Sequence, residues 1–242
     1  PADALIRGAI AHTGLAHYHA RLRAQQRKED PDAYYDPVTA MRMVAAKLDE
    51  EFNCATGTRL MQTYYGLPAA YELEYGADRL EIVRVEEILE ANVAGHRFTQ
   101  RVDLEVRDLN GRHWFIDLKT ASNPDSRSVA RYSLSGQFLA MQLFGRSMYG
   151  DRFGGALIGF ITGEKPPFKF KRVSVFPAPH LLSRFPQIVA AAEQRIARAA
   201  TLDPWCCEPA AHDLICVHSF GRCPAYELCQ YGSAGISGLM KV

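Results

Sequence analysis

Asp117 and Lys119 interrupt an otherwise apolar stretch, residues 114–120, which predicts a β-strand covered on both faces. The two residues are two positions apart, so their side chains point to the same side of the predicted sheet. Burying a carboxylate and an ammonium costs free energy unless each group has a partner. The pair therefore indicates either a structural ion pair near a strand end or a site that does chemistry.

A second carboxylate, Asp103, lies on the strand that precedes this one. Apolar and polar residues alternate over residues 98–107, which predicts a strand with one buried and one polar face, and Asn110-Gly111 predicts a tight hairpin turn. Asp103 can therefore reach the same side of the sheet as Asp117. Two carboxylates bind magnesium through oxygen, and a neighbouring lysine would orient a water and offset negative charge on a phosphate. Spacing alone favours neither this metal site nor the ion pair.

The segment around these residues, RVDLEVRDLNGRHWFIDLKTAS, resembles the core motif of PD-(D/E)XK nucleases, in particular the RecB-like branch. That core often reads G-x-I-D-L followed by a hydrophobic residue and D-x-K-T, which Asp103 and Asp117-Leu118-Lys119 match. The resemblance implies a magnesium- or manganese-dependent hydrolase of DNA phosphodiester bonds. Asp103, Asp117 and the Leu118 carbonyl would bind the metal, and Lys119 would position the attacking water and stabilise the developing charge.

A histidine in the first predicted helix extends the resemblance. RecB-like nucleases carry a G-x-x-x-H pattern in their first helix, with the histidine facing the metal. Residues 5–26 predict such a helix, and Gly8 and His12 match the pattern. The resemblance therefore implies that His12 is a metal ligand. The alternative is a surface or core histidine without a catalytic role, since His17 and His19 lie on the same helix.

Two further positions follow the RecB-like order. An acidic residue often lies on the strand before the motif aspartate, and Glu86 is the better match in the predicted strand over residues 79–91, although a solvated strand edge is the alternative. After the core, the family carries Q-x-x-x-Y on a helix. Gln137 matches the glutamine, whereas Met141 replaces the tyrosine. We expect Gln137 beside the active site, and Gln142 is compatible with a solvated helical face.

Five of the six cysteines lie close together near the C-terminus. Many RecB-like nucleases, including the CRISPR-adaptation type and phage relatives, hold a 4Fe-4S cluster with C-terminal cysteines in the pattern C-P-x-x-x-x-C and one further cysteine upstream. Cys223 and Cys229 match the pattern, Cys216 matches the upstream position, and Cys207, or alternatively Cys206, would be the fourth ligand. The alternatives are a zinc site, although the usual C-x-x-C knuckle is missing, and free thiols.

Composition bounds the class of protein. The chain has 242 residues, with 28 lysines and arginines against 27 aspartates and glutamates, so any basic DNA-binding surface must be local. Lys169 and Lys171 are candidates on a predicted edge strand, where lysine also protects against aggregation. No apolar run approaches the length of a membrane span, and no export signal is visible. We therefore expect a cytoplasmic protein, bacterial or phage-encoded, without a membrane partner. Because the first residue is proline, we expect the natural N-terminus, and with it an alternative fourth cluster ligand, to lie upstream.

The remaining periodicity predicts helices and strands around this core. We expect a long helical region over residues 38–65, which Thr39 helps to cap and in which Cys54 is buried, and we expect a loop over residues 122–128. The other predicted elements are helices over 68–75, 132–149 and 183–200 and strands over 155–162 and 168–176.

The sequence predicts an α/β fold with a restriction-endonuclease-like mixed central sheet, flanked by helices and followed by a cysteine-rich C-terminal tail. We expect one nuclease domain over residues 1–242, in which 38–76 is a helical insertion and 204–231 an iron–sulfur tail. The predicted function is a metal-dependent DNA nuclease, an exonuclease by resemblance, whose partners are DNA and a helicase, recombination or CRISPR protein. The alternative is a nuclease-like module that binds DNA or protein without cutting, with a zinc- or cluster-stapled tail.

Overall fold

A five-stranded mixed sheet lies in the larger of two compact units in the computed structural model. The units are Pro1–Pro186 and Gln187–Val242. The structure describes residues 3–121, 126–163, 165–201, 217–218 and 221–222.

The strands of the central sheet are β1 Glu81–Val93, β2 His96–Arg107, β3 His113–Ala121, β4 Phe153–Thr162 and β5 Lys169–Val175. Their order in space is their order in the chain. Neighbouring strands are antiparallel except β3 and β4, which are parallel. A parallel pair needs a long crossover connection, and here that connection is helical.

Helices flank this sheet, as the sequence predicts. The helix α1 contacts β1, β2 and β3, and α6 contacts β2, β3 and β4. No helix in the described part of the chain is long and apolar enough to cross a membrane. The helices are α1 Asp3–Arg27, α2 Pro37–Phe52, α3 Thr56–Tyr64, α4 Leu67–Tyr75, α5 Ser126–Ser133, α6 Gly136–Tyr149 and α7 Pro179–Ala200.

The central strand β3 is buried on both faces. Ile116 belongs to a core cluster that also contains Ile10 and Leu15 of α1, and all three side chains are fully buried. Phe115, whose side chain points to the opposite face by strand alternation, is fully buried as well and contacts the ring of Phe153. The apolar character of this strand is therefore explained by helices on both sides, as predicted.

The turn between β2 and β3 forms where the sequence predicts it. The Asp108 carboxylate accepts hydrogen bonds from the backbone N–H groups of Asn110 at 2.8 Å and Arg112 at 3.0 Å. Gly111 has φ of +74°, a conformation that glycine adopts without steric cost. This turn fixes which residues of the two strands lie opposite each other.

The helical region predicted over residues 38–65 consists of two helices in the structure, α2 and α3. Asn53 has φ of +46° and ends α2 in the left-handed conformation. Asp36 rather than Thr39 is the N-cap, because a proline occupies the first helical position, and Asp36 Oδ1 accepts a hydrogen bond from the Thr39 N–H at 3.0 Å. Cys54 lies in the break between the helices and is only half-buried.

The crossover between β3 and β4 also differs from the prediction. The single helix predicted over residues 132–149 is broken, because Ser135 has extended backbone dihedrals and caps α6, accepting a hydrogen bond from the Phe138 N–H at 3.4 Å. The loop predicted upstream ends earlier than expected, since α5 begins at Ser126. The new helix start places Gln137 in the first turn of α6.

The strand β5 is an edge strand with an exposed lysine pair. Lys169 and Lys171 are exposed there, as the sequence predicts.

Gln142 does not lie on a solvated face, contrary to expectation: it is buried and donates a hydrogen bond from Nε2 to the Val175 carbonyl at 3.1 Å. The Val175 carbonyl needs a hydrogen-bond donor, and the side-chain amide of Gln142 on α6 supplies it.

In the second unit the structure describes the end of α7 and a short antiparallel pair, β6 Val217–His218 and β7 Gly221–Arg222. The predicted cluster ligands lie outside the described residues: Cys206, Cys207, Cys216, Cys223 and Cys229.

His19 on α1 should make the protein less stable as pH falls. Its side chain is buried against Tyr18 and Tyr71, and this loss of hydration, with the charge of Arg172, lowers its pKa to about 3. The unfolded histidine binds a proton below pH ~6.5, whereas the folded one stays neutral, so the unfolded state gains protons first. Between pH 7 and pH 5 we expect His19→Phe to gain roughly 2 kcal/mol in unfolding free energy relative to the native protein.

Urea unfolding at pH 7, 6 and 5 measures this difference. The control is His180→Phe, because His180 is exposed and should leave the pH dependence as it is. Parallel stability curves for the native protein and His19→Phe would contradict the prediction.

Candidate metal centre and active site

The strands β2 and β3 part at one end of the hairpin, and this opening creates the site. Residue pairing between β2 and β3 ends at Leu104 and Ile116, whereas β3 stays paired with β4 as far as Ala121. Beyond the last pair, the Leu118 N–H donates a hydrogen bond to Asp103 Oδ2 at 2.8 Å. A side-chain carboxylate therefore takes the place of a backbone acceptor, and the carboxylate is fixed in the opening.

His12, Glu86 and Asp103 converge around this opening. One ligand atom from each residue lies within 4.8 Å of the others. The Nδ1 atom of His12 lies 3.4 Å from Asp103 Oδ2. Two carboxylates and an imidazole are suitable donors for divalent cations such as magnesium and manganese.

Glu86 occupies a strained position on β1. Its neighbours Val85 and Glu87 pair with Leu104 and Val102, so the register brings Glu86 opposite the motif aspartate of β2. Its φ is +52°, which costs a residue other than glycine about 1–3 kcal/mol and is found most often at functional sites. Burial raises its pKa to about 7, and the charges of the nearby aspartates add to this effect. The strand therefore holds a carboxylate in an unfavourable place.

The imidazole of His12 is held in its ligand form. Burial lowers its pKa, and the charges of Lys119 and Arg101 act in the same direction, whereas Asp103 and the Leu118 carbonyl oppose the shift. A neutral imidazole has a free nitrogen lone pair for a metal. The Leu118 backbone thus contacts two residues of the cluster: its N–H binds Asp103 and its carbonyl interacts with His12.

Asp117 has a separate set of partners. Gln137 donates a hydrogen bond from Nε2 to Asp117 Oδ1 at 2.5 Å, and the Nζ atom of Lys119 lies 2.7 Å from Oδ2. The lysine contact lacks the angles of a hydrogen bond, so the buried Oδ2 atom has an ion-pair neighbour but no hydrogen-bond partner. Burial raises the pKa of Asp117 to about 6, and Asp103 adds to the shift while Lys119 opposes it.

The structure therefore arranges the predicted site residues as two neighbouring groups. The donor cluster consists of His12, Glu86 and Asp103, and the second group, the Asp117 group, consists of Asp117, Lys119 and Gln137. The two other histidines of α1 lie elsewhere, His17 against Tyr35 and His19 in the core.

A buried polar network beside the site was missed by the sequence analysis. One residue of the predicted polar face of β2 is not solvated: Glu105 is fully buried, forms an ion pair with Arg84 and is hydrogen-bonded to His113, whose Nδ1 lies 2.7 Å from Glu105 Oε1. Arg84 also donates to the Tyr149 hydroxyl at 2.7 Å, and the Tyr149 ring stacks on His113. One signal for this network was present in the sequence: the polar face of β2 lies beside β3, a strand that is apolar on both faces. Arg101, which contacts Glu86, was missed as well.

Removing the carboxylate at the centre of this network should destabilise the fold. We expect Glu105→Ala to lower the unfolding free energy by about 3–5 kcal/mol, because it breaks a buried ion pair and leaves Arg84 with only the half-exposed Glu87 as a counter-charge. The matched control is Glu81→Ala, since Glu81 pairs with Arg107 on the same two strands but is half exposed, and we expect a loss below about 1 kcal/mol. Denaturant unfolding of both variants measures the difference, and equal losses would contradict the argument.

Comparisons with known proteins bear on the family to which the chain belongs. The family model of the PD-(D/E)XK nuclease superfamily matches residues 1–230. No curated protein matches the chain. Among solved structures, the chain is similar to the crystal structure of SSO0001, with 16% sequence identity over 76% of this chain and 74% of that chain and a TM-score of 0.35. On the family match, which covers nearly the whole sequence, the chain belongs to the PD-(D/E)XK nuclease superfamily.

Proposed function

We propose that the protein is a nuclease of the RecB-like branch that hydrolyses phosphodiester bonds in DNA, as an exonuclease, with magnesium or manganese as its cofactor. The observation that carries the proposal is the donor cluster of His12, Glu86 and Asp103 beside the Asp117 group. A helicase, recombination or CRISPR-adaptation protein is the class of partner that the RecB-like resemblance implies.

The residues present suit a divalent cation. Burial raises the pKa values of Glu86 and Asp117, and the negative charge of Asp103 adds to both shifts, so a positive charge between the carboxylates would relieve their repulsion. The buried Asp117 Oδ2 atom has no hydrogen-bond partner and therefore has a lone pair left for a cation. His12, Glu86 and Asp103 would hold the ion, with Asp117 and the Leu118 carbonyl beside them. When bound, the ion would polarise a phosphate and lower the pKa of a coordinated water.

Lys119 and its neighbours would do the remaining work. The Lys119 side chain is 28% exposed, whereas its partner Asp117 is 3% exposed, so the ammonium lies on the open side of the pair. Asp117 orients the lysine through their 2.7 Å contact, and Gln137 fixes the orientation of Asp117 by its hydrogen bond. The ammonium can then orient an attacking water and stabilise negative charge that develops on the phosphate.

A nuclease assay on end-labelled single- and double-stranded DNA tests this function. We expect cleavage in magnesium or manganese and none in EDTA, and Lys119→Ala should lose roughly 10²–10³-fold in rate because it removes one charge-stabilising group. We expect no cleavage by Asp117→Ala, since this substitution removes a carboxylate beside the ion.

Two controls sharpen this assay. Lys47→Ala, on the exposed face of α2, removes the same charge away from the site and should keep the native rate. Covalently closed circular DNA should survive if the enzyme is an exonuclease. Metal-independent cleavage, or full activity in Lys119→Ala, would refute the proposed mechanism.

We also propose that the C-terminal tail is stapled by a 4Fe-4S cluster. The support is the cysteine pattern in the sequence, with Cys216, Cys223 and Cys229 as ligands and Cys207, or Cys206, as the fourth. Thiolate ligation couples metal binding to folding, so the cluster would have a structural role.

Anaerobic purification tests the cluster. We expect a brown protein with broad absorbance near ~400 nm, and Cys223→Ser should lose the colour and become sensitive to protease C-terminal to Pro204. Cys54→Ser is the control, since Cys54 lies between α2 and α3 and should keep the colour. A colourless protein that contains zinc would identify the staple as zinc, and a metal-free protein would exclude ligation.

A further inference from the structure

Arg101 lies at the solvent side of the donor cluster. It precedes Asp103 by two positions on β2, so strand alternation places both side chains on one face. Its Nε atom lies 3.2 Å from Glu86 Oε2, and its side chain is 67% exposed, compared with 30% for Glu86. The guanidinium therefore covers one edge of the cluster while most of it faces solvent.

The charge of Arg101 compensates Glu86 in the structure as it stands. The guanidinium contacts the carboxylate directly, at 3.2 Å, so their opposite charges offset each other. A divalent cation on the same cluster would take the Glu86 carboxylate and would repel the guanidinium, because both carry positive charge. Arg101 has a free path away from the cluster, since two thirds of its side chain already lies in solvent.

We propose that Arg101 is a substrate-binding residue: it pairs with Glu86 when the cluster holds no cation, and it contacts a backbone phosphate of the DNA when a cation is bound. The inference rests on the proposed nuclease function. A guanidinium suits this role, because its planar set of donors matches a phosphate group in a bidentate geometry. Lys119 is unsuited to the exchange, since its partner Asp117 is buried and fixed by Gln137.

A matched control lies on the same pair of strands. Arg97 is 75% exposed and pairs with Glu90, with its Nε atom 3.1 Å from Glu90 Oε2. Glu90 does not belong to the donor cluster. Arg97→Ala therefore removes an equally exposed, carboxylate-paired arginine without touching the proposed cation site.

Salt-dependent DNA binding tests the phosphate contact. Fluorescence anisotropy is measured in calcium and in EDTA over a range of salt concentrations, with intact DNA verified afterwards. For a lost phosphate contact, the slope of log K against log salt should fall by about 0.9 on duplex DNA or about 0.7 on single strands. We expect this fall for Arg101→Ala in calcium, a smaller one in EDTA, and none for Arg97→Ala. Arg101→Lys should restore the slope, because the charge is kept.

Direct measurement of cation binding tests the exchange itself. Manganese titration by calorimetry, without DNA, should show roughly five- to tenfold tighter binding in Arg101→Ala, because a repelling charge is removed. An unchanged salt slope in calcium, or weaker manganese binding, would overturn the inference even if the native enzyme cuts DNA. Conversely, a lower slope for Arg101→Ala in a protein that never cuts would refute the nuclease function and leave the phosphate contact standing.

Discussion

The hydrogen bond from the Leu118 N–H to the Asp103 carboxylate is the contact on which the site depends. Where two antiparallel strands part, their backbone groups lose partners, and each unpaired buried N–H costs free energy. Asp103 supplies the missing acceptor and is thereby held at the opening. The carbonyl of the same residue, Leu118, interacts with His12. A local defect in the β-ladder thus positions two of the three residues of the donor cluster.

Crowded negative charge is the second constraint. Burial raises the pKa values of Glu86 and Asp117, the charge of Asp103 adds to both shifts, and all three carboxylates are at least partly buried. Two cationic side chains offset this charge, but in different ways. Lys119 is bound to a fixed carboxylate, whereas Arg101 is bound to one that lies near the surface. The site therefore combines a permanent counter-charge with an exchangeable one.

The sequence predicts the parts of the fold that local patterns determine. The Asn-Gly turn and the strand alternation suffice to bring Asp103 and Asp117 to one side of the sheet. Single residues that end helices were not predicted, because Asn53 has ordinary helix propensity in isolation and its left-handed conformation depends on the packing of two helices. The burial of Glu105 was also not predictable, since its partners come from a separate strand and from α6. A contact between distant elements leaves no periodic signal in either of them.

The wide separation of the donor cluster along the chain bears on how the protein folds. His12 precedes Glu86 by 74 positions, and Glu86 precedes Asp103 by 17. The two carboxylates can meet once a single hairpin forms, but the imidazole joins them only after α1 has docked on the sheet across a long loop. During synthesis, α1 therefore cannot dock until the β1–β2 hairpin has formed. A cation that needs all three donors binds only the chain in which α1 has docked. Its binding free energy therefore stabilises the docked state relative to the undocked one.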